Sequence, residues 1–267
     1  MPAIQLARLK IQSAQLSEDF VRPDKFVRGL RDLLELYADR TRRSGQFGEP
    51  APLLPAFKVP APVLRQVLKD LAPMATGDPQ GGLALCEALW AEPFLEFRLL
   101  AAYLLGLIPL DAPEEVLERV QSWAVPGAEA RLVDTLVEMS LALVRRDHPD
   151  VYFKKVEAWL STSLVFYQQM GLKALAALVD TAGFEDFPAL FRLLAPLVRA
   201  APSRLRADLL DVIQALAARA PKEAAYFLRQ NLEIKTDNPG TAWMIRNGLR
   251  YFPAVTQASL RAALRGQ

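Results

Sequence analysis

The stretch AWMIRNGLRYF, residues 242–252, holds Trp243, Arg246 and Arg250 at i, i+3 and i+7, a spacing that puts all three on one face of a helix. Two guanidiniums beside an indole suit a polyanionic strand. The arginines reach phosphate oxygens while the tryptophan packs beneath them or stacks on a sugar or base. The pattern also fits the basic outer surface of a terminal helical repeat. Arg204 and Arg206, beside Ser203 at an expected helix start, add two cations to the same half of the chain. A second cluster, Arg40, Arg42 and Arg43 in YADRTRRSGQFG, suits phosphate or an acidic protein partner, and reads equally as cations at a solvated helix end.

Other chemistries find little footing. His148, in RRDHPD, is the sole histidine, so no second imidazole completes a metal site or a base dyad. Cys86 is the only cysteine, which leaves no intrachain disulfide, thiolate cluster or redox pair; inside a helix it reads as a buried, inert thiol. No glycine-rich phosphate loop, serine-nucleophile elbow or zinc signature occurs, and neither a cofactor nor a metal is expected.

Hydrophobic residues make up 52% of the 267, enough for a substantial core and too many for a disordered chain. With 32 basic and 30 acidic residues the net charge is only +2, so local distribution matters more than any global field. Residues 1–70 carry 12 Lys/Arg against 8 Asp/Glu, residues 71–165 carry 7 against 14, and residues 166–267 carry 13 against 8. Two basic ends flank an acidic middle. The opening MPAIQLARLKIQSAQL lacks the apolar core and cleavage site of a signal peptide. The longest apolar run, LLAAYLLGLIPL, falls short of the ~20 residues a bilayer span needs and contains Pro109. A reducing cytoplasm and no membrane contact fit best.

These residues must be positioned by helices. Apolar residues recur at helical spacing throughout, with short Pro, Gly, Asp or Ser connections, and no run of strand-like alternation stands out. The spacing predicts helices over 113–124, 128–147, 149–160, 163–180, 186–200, 202–219, 221–231 and 240–252. The proline-rich PAPLLPAFKVPAP, residues 50–62, reads as an extended connection and the one plausible break, separating an N-terminal helical cap (1–60) from a repeat domain (61–267).

Trp90, Trp123 and Trp159 each close a helix and precede a short connection into a second helix, at spacings of 33 and 36 residues. Superposing the second helices aligns Arg98, Asp134, Gln169, Asp208 and Arg246, separated by 36, 35, 39 and 38 residues. Two-helix units of this period belong to the α-solenoid class, in which each pair buries its apolar face only by stacking on its neighbours. The expected fold is therefore all-α, a right-handed solenoid of about six or seven HEAT-like pairs. In it the tryptophans fill the seams and the aligned polar residues share one surface. Those polar residues also fit ordinary solvated helix faces.

The stretch ALWAEPFLEFRLLAAYLL, followed by VQSWAVPGAEARLVDTL, VEAWLSTSLVFYQQMGLKAL and ARAPKEAAYFLRQN, resembles the bacterial DNA alkylation repair family of the AlkD type, over residues 83 to about 250. The resemblance implies a HEAT-like solenoid that grips double-stranded DNA in a concave basic face and excises cationic N3- or N7-alkylated purines such as 3-methyladenine or 7-methylguanine. It places the catalytic aspartate at Asp134, whose carboxylate would stabilise the developing oxocarbenium ion. The family's arginine falls on Gln169, which donates a hydrogen bond but cannot form a bidentate phosphate clamp. Its first aromatic falls on Ala130 and its second near Asp211, so neither wall is present. Phe166 and Tyr167 lie about 100° apart on their helix, and at least one is expected to enter the core. Asp134 also fits a helix-face residue or a partner of Arg98 or Arg131. The DNA reading uses Arg204, Arg246, Arg250 and Lys173 for backbone contacts around Asp134, together with Gln169 and Trp243. The alternative is a non-catalytic scaffold that presents the same face to a protein partner.

Overall fold

Proline punctuates this chain at helix starts, where its missing N–H costs nothing and its fixed φ suits the first turn. In the computed structural model, which describes residues 5–39, 53–234 and 239–266, helices α2 (Pro23–Tyr37), α4 (Pro79–Ala91), α6 (Pro113–Trp123), α9 (Pro149–Leu160), α13 (Pro221–Glu233) and α14 (Pro239–Gly248) each open on proline. The others are α1 (Leu6–Ser17), α3 (Ala61–Gly77), α5 (Leu95–Leu105), α7 (Ala130–Thr135), α8 (Ala142–Asp147), α10 (Val165–Val179), α11 (Phe187–Ala200), α12 (Arg206–Arg219) and α15 (Ala254–Arg265). Side-chain caps reinforce two starts: Asp78 accepts from the Gly81 N–H at 2.9 Å, and Asp186 from the Ala189 N–H at 3.0 Å. No strand occurs among the described residues, and none of their helices is long and apolar enough to cross a membrane. The Arg40, Arg42 and Arg43 cluster lies outside the described residues.

The chain divides into two compact units, residues 1–148 and 149–267. In the first, α1, α3, α5 and α7 pack successively side by side, while α2 packs on α4 and α6 lies against the turn that follows α7. Helix α5 is the hub, burying Phe97, Leu99, Leu100, Ala101, Ala102 and Leu104. The Trp90 and Trp123 rings stack between α4 and α6, with centroids 4.2 Å apart and planes within 6°. Arg119 joins the same two helices through Glu87, at 2.6 Å.

The single helix expected over 128–147 is broken. A π-helical turn at Leu136–Ser140 separates α7 from α8. The cause is a close approach to α5 that the local sequence does not announce. Gly106 lies so near the Met139 carbonyl that a Cβ there would sit 2.0 Å from its oxygen, and the Ser140 hydroxyl donates to the Ala102 carbonyl at 2.7 Å.

Residues 53–60 are non-helical, as the prolines imply, and they are strapped onto the starts of α5 and α7. The Leu53 N–H donates to Glu129 at 2.7 Å, and the Leu95 N–H donates to the Pro55 carbonyl at 2.9 Å. The buried Glu96 carboxylate accepts from both the Phe57 N–H at 3.1 Å and the Lys58 N–H at 2.7 Å, where Lys58 adopts a left-handed φ of 58°. Phe57 packs against Phe94 with centroids 4.7 Å apart, and Arg31, paired with Glu92, covers that Phe94 ring.

In the second unit α10, α12 and α14 form one row, and α11, α13 and α15 pack on one another in a second; α9 covers α10. Tyr152 of α9 is fully buried and donates to the Ala174 carbonyl at 2.9 Å. Gly240 lets α14 close on the end of α11: a Cβ there would fall 2.0 Å from the Arg199 carbonyl oxygen.

Candidate nucleic-acid interface

The row α10, α12 and α14 brings together several of the residues selected for phosphate contact. Gln169 and Asp208, aligned by their 39-residue spacing, touch: the Gln169 amide donates to the Asp208 carboxylate at 3.2 Å and to the Arg204 carbonyl at 3.3 Å. Lys173, one turn along α10, places its ammonium 3.7 Å from the same carboxylate. Asp208 is only 8% exposed. Burial pushes its carboxyl above the ordinary range, while the Lys173 charge and the Gln169 amide pull it back down. The repeat spacing puts Asp208 in the polar row and assigns it no contact. Its role is local: it fixes the Gln169 and Lys173 side chains at the start of α12.

Arg204 stands exposed on the short 3₁₀ turn Ser203–Leu205 that leads into α12. Two residues on, Arg206 lays its guanidinium over the Trp243 ring, 4.4 Å from the centroid, and its Nε donates to the Ala201 carbonyl at 3.0 Å. Trp243 is thus half-buried beneath an arginine of α12 rather than beneath Arg246 or Arg250.

The expected alignment of Trp243, Arg246 and Arg250 is only partly realised. Arg246 is exposed one turn beyond Trp243, but α14 ends at Gly248, and Arg250 lies on the 3₁₀ turn Leu249–Tyr251, whose tighter winding breaks the helical phase. Arg250 donates to its neighbour's hydroxyl, Tyr251 Oη, at 2.7 Å. Phe166 and Tyr167 also depart from expectation. Neither enters the core; both are half-exposed at the start of α10 and meet edge to face at 5.4 Å.

Asp134 belongs to the other unit. It sits half-buried on α7, immediately before the π-helical turn. Arg98, its counterpart on α5, is engaged by its own surroundings, with Nε donating to the Glu92 carbonyl at 3.0 Å and the guanidinium 5.3 Å from the Trp90 ring centre. Ala130 and Asp211, which occupy the two aromatic positions of the resembled family, are both exposed.

No group of three or more metal-ligating side chains occurs among the described residues. His148 and Asp147 line a small cavity of about 80 Å³ whose remaining walls, including Leu105, Ile108 and Val144, are mainly apolar. Cys86 is fully buried and its thiol is pushed up by that burial, which leaves it inert as expected.

The charge division follows the units. Residues 149–267 hold 15 Lys/Arg and 10 Asp/Glu, whereas residues 1–148 hold 17 and 20. The excess of positive charge therefore lies in the unit that carries the α10, α12 and α14 row. Comparison with known families gives a match to the DNA alkylation repair enzyme family over residues 38–252. No curated protein and no solved structure matches the chain.

Proposed function

Because the chain belongs to the DNA alkylation repair enzyme family, we propose that it binds double-stranded DNA through the α10, α12 and α14 row, with Arg204, Arg246, Arg250 and Lys173 on backbone phosphates. Gln169 and Trp243 are the polar and aromatic members of the same face. The observation that carries this reading is the cluster in which the Gln169, Lys173 and Asp208 side chains of α10 and α12 meet at the Arg204 carbonyl, beside the exposed Arg204 side chain, in the more basic unit. Phosphate contacts of this kind fix orientation without reading sequence. In this reading the helix pairs of residues 61–267 form a HEAT-like solenoid, residues 1–60 cap it, and DNA lies in its concave face. Neither a cofactor nor a metal is required, and the protein acts in the cytoplasm.

Base excision rests on Asp134 alone. Its carboxylate is the group available to stabilise a sugar cation as an alkylated purine departs, a step made easier by the positive charge already on the base. The two halves of the proposal separate experimentally. Anisotropy titration of a labelled duplex at low salt should show binding that Arg246→Ala with Arg250→Ala weakens for every sequence tested. Absence of any binding would replace this reading with a protein-binding scaffold. Incubation with methylated DNA then tests catalysis: 7-methylguanine release that collapses in Asp134→Asn supports it, and no release by the wild type removes it.

A further inference from the structure

We infer that Arg206 is a pre-set clamp for a single phosphodiester, held in its binding geometry before DNA arrives. This deepens the reading just given and rests on it. A guanidinium offers five N–H groups and two flat faces, and in a free side chain all of them are mobile. Here one face is taken by the Trp243 ring at 4.4 Å, and the Nε–H is taken by the Ala201 carbonyl at 3.0 Å. What remains is the end-on pair of Nη groups, the edge that matches two phosphate oxygens.

The frame that holds the clamp is closely packed. Ala201 is buried and closes α11 in a left-handed conformation, φ 37° and ψ 57°, with its own N–H bonded to the Leu197 carbonyl at 2.7 Å. Trp243 stands one turn from Gly240, whose contact with the Arg199 carbonyl locks α14 against that same end of α11. Acceptor carbonyl and aromatic platform are therefore fixed relative to each other by backbone packing.

The acid closest in sequence does not consume the charge. Asp208, two residues on, is engaged by Lys173 and Gln169, and Arg206 forms no ion pair among the described residues. A half-exposed cation with a fixed orientation and two unspent Nη groups fits an oxyanion with two acceptors on one side. A backbone phosphate has that form. The exposed Arg204 lies two residues before the clamp, on the 3₁₀ turn that leads into α12.

The test separates a positioned clamp from mere positive charge. Full-length wild type, Arg206→Lys and Trp243→Leu are titrated against a labelled duplex at several salt concentrations, with thermal midpoints checking that each is folded. Arg206→Lys keeps the charge but loses the flat fork, so affinity should fall roughly tenfold while the salt slope stays unchanged. Trp243→Leu keeps every charge and should weaken binding in the same direction. If Arg206→Lys binds as tightly as the wild type, Arg206 is only a staple between α12 and α14 and the inference is overturned; should Trp243→Leu fail to fold, the lysine variant alone decides. A wild type that does not bind duplex at all overturns the functional reading first, and this one with it.

Discussion

Salt dependence gives the most quantitative prediction. Four arginines of the second unit, Arg204, Arg206, Arg246 and Arg250, form no ion pair among the described residues, whereas Lys173 already lies 3.7 Å from Asp208. If each of the four neutralises one phosphate, log K should fall against log salt with a slope of about −3.6, a loss of roughly 150-fold between 50 and 200 mM. Removing two of them in Arg246→Ala with Arg250→Ala should halve the slope to about −1.8, cutting the same loss to roughly 12-fold. Lys173 reaches a phosphate only while it stays shared with Asp208, so Lys173→Ala should change the slope by less than one full charge. The measurement is a set of anisotropy titrations at four salt concentrations on one duplex. A wild-type slope shallower than about −1, or one that the double variant leaves intact, would refute the assignment of these arginines to phosphates.

Two further outcomes concern stability. Because burial raises the Asp208 carboxyl, the native state holds its proton more tightly than the unfolded chain, so stability should fall as pH rises from the ordinary 3.8 through the native value and level off above it. Urea titrations across that range should show this slope in the wild type and lose it in Asp208→Asn; an unchanged slope assigns the effect to other groups. Glu96→Ala strips two backbone donors of a charged acceptor and should cost about 3 kcal/mol, with Glu96→Gln costing about half of that. Trypsin cleavage after Lys58 should accelerate in both, and equal cleavage rates in Glu96→Gln and wild type would show that the carboxylate does not hold the segment.

Much of the helical order was legible because proline and aspartate mark the helix starts chemically, as at Pro113, Pro149, Asp186 and Pro221. The 39-residue spacing was equally informative, since Gln169 and Asp208 meet across α10 and α12. What the sequence hid depends on distant backbone. The π-helical turn arises where Met139 meets Gly106, and nothing in LVEMS itself signals it. Trp243 is covered by Arg206, a residue 37 positions away, because α12 and α14 are neighbours; the local spacing of residues 242–252 contains only Arg246 and Arg250. The early end of α14 at Gly248 then moved Arg250 off the expected face. Periodicity assumes that a helix continues, and it has no means of seeing a neighbour that stops one.

A stack of repeats that touch only adjacent repeats can open from either end and unzip pair by pair. The strap adds contacts of long sequence separation to residues 1–148. Its bond from Leu53 to Glu129 joins positions 76 apart, and those to Glu96 join positions 38 and 39 apart. Leu53, Phe57 and Lys58 are thereby held to the starts of α5 and α7. Such a tether lengthens the loop that must close during folding and postpones completion of the unit until Glu129 has been synthesised. In return the unit should melt as one cooperative block instead of fraying from its amino-terminal end.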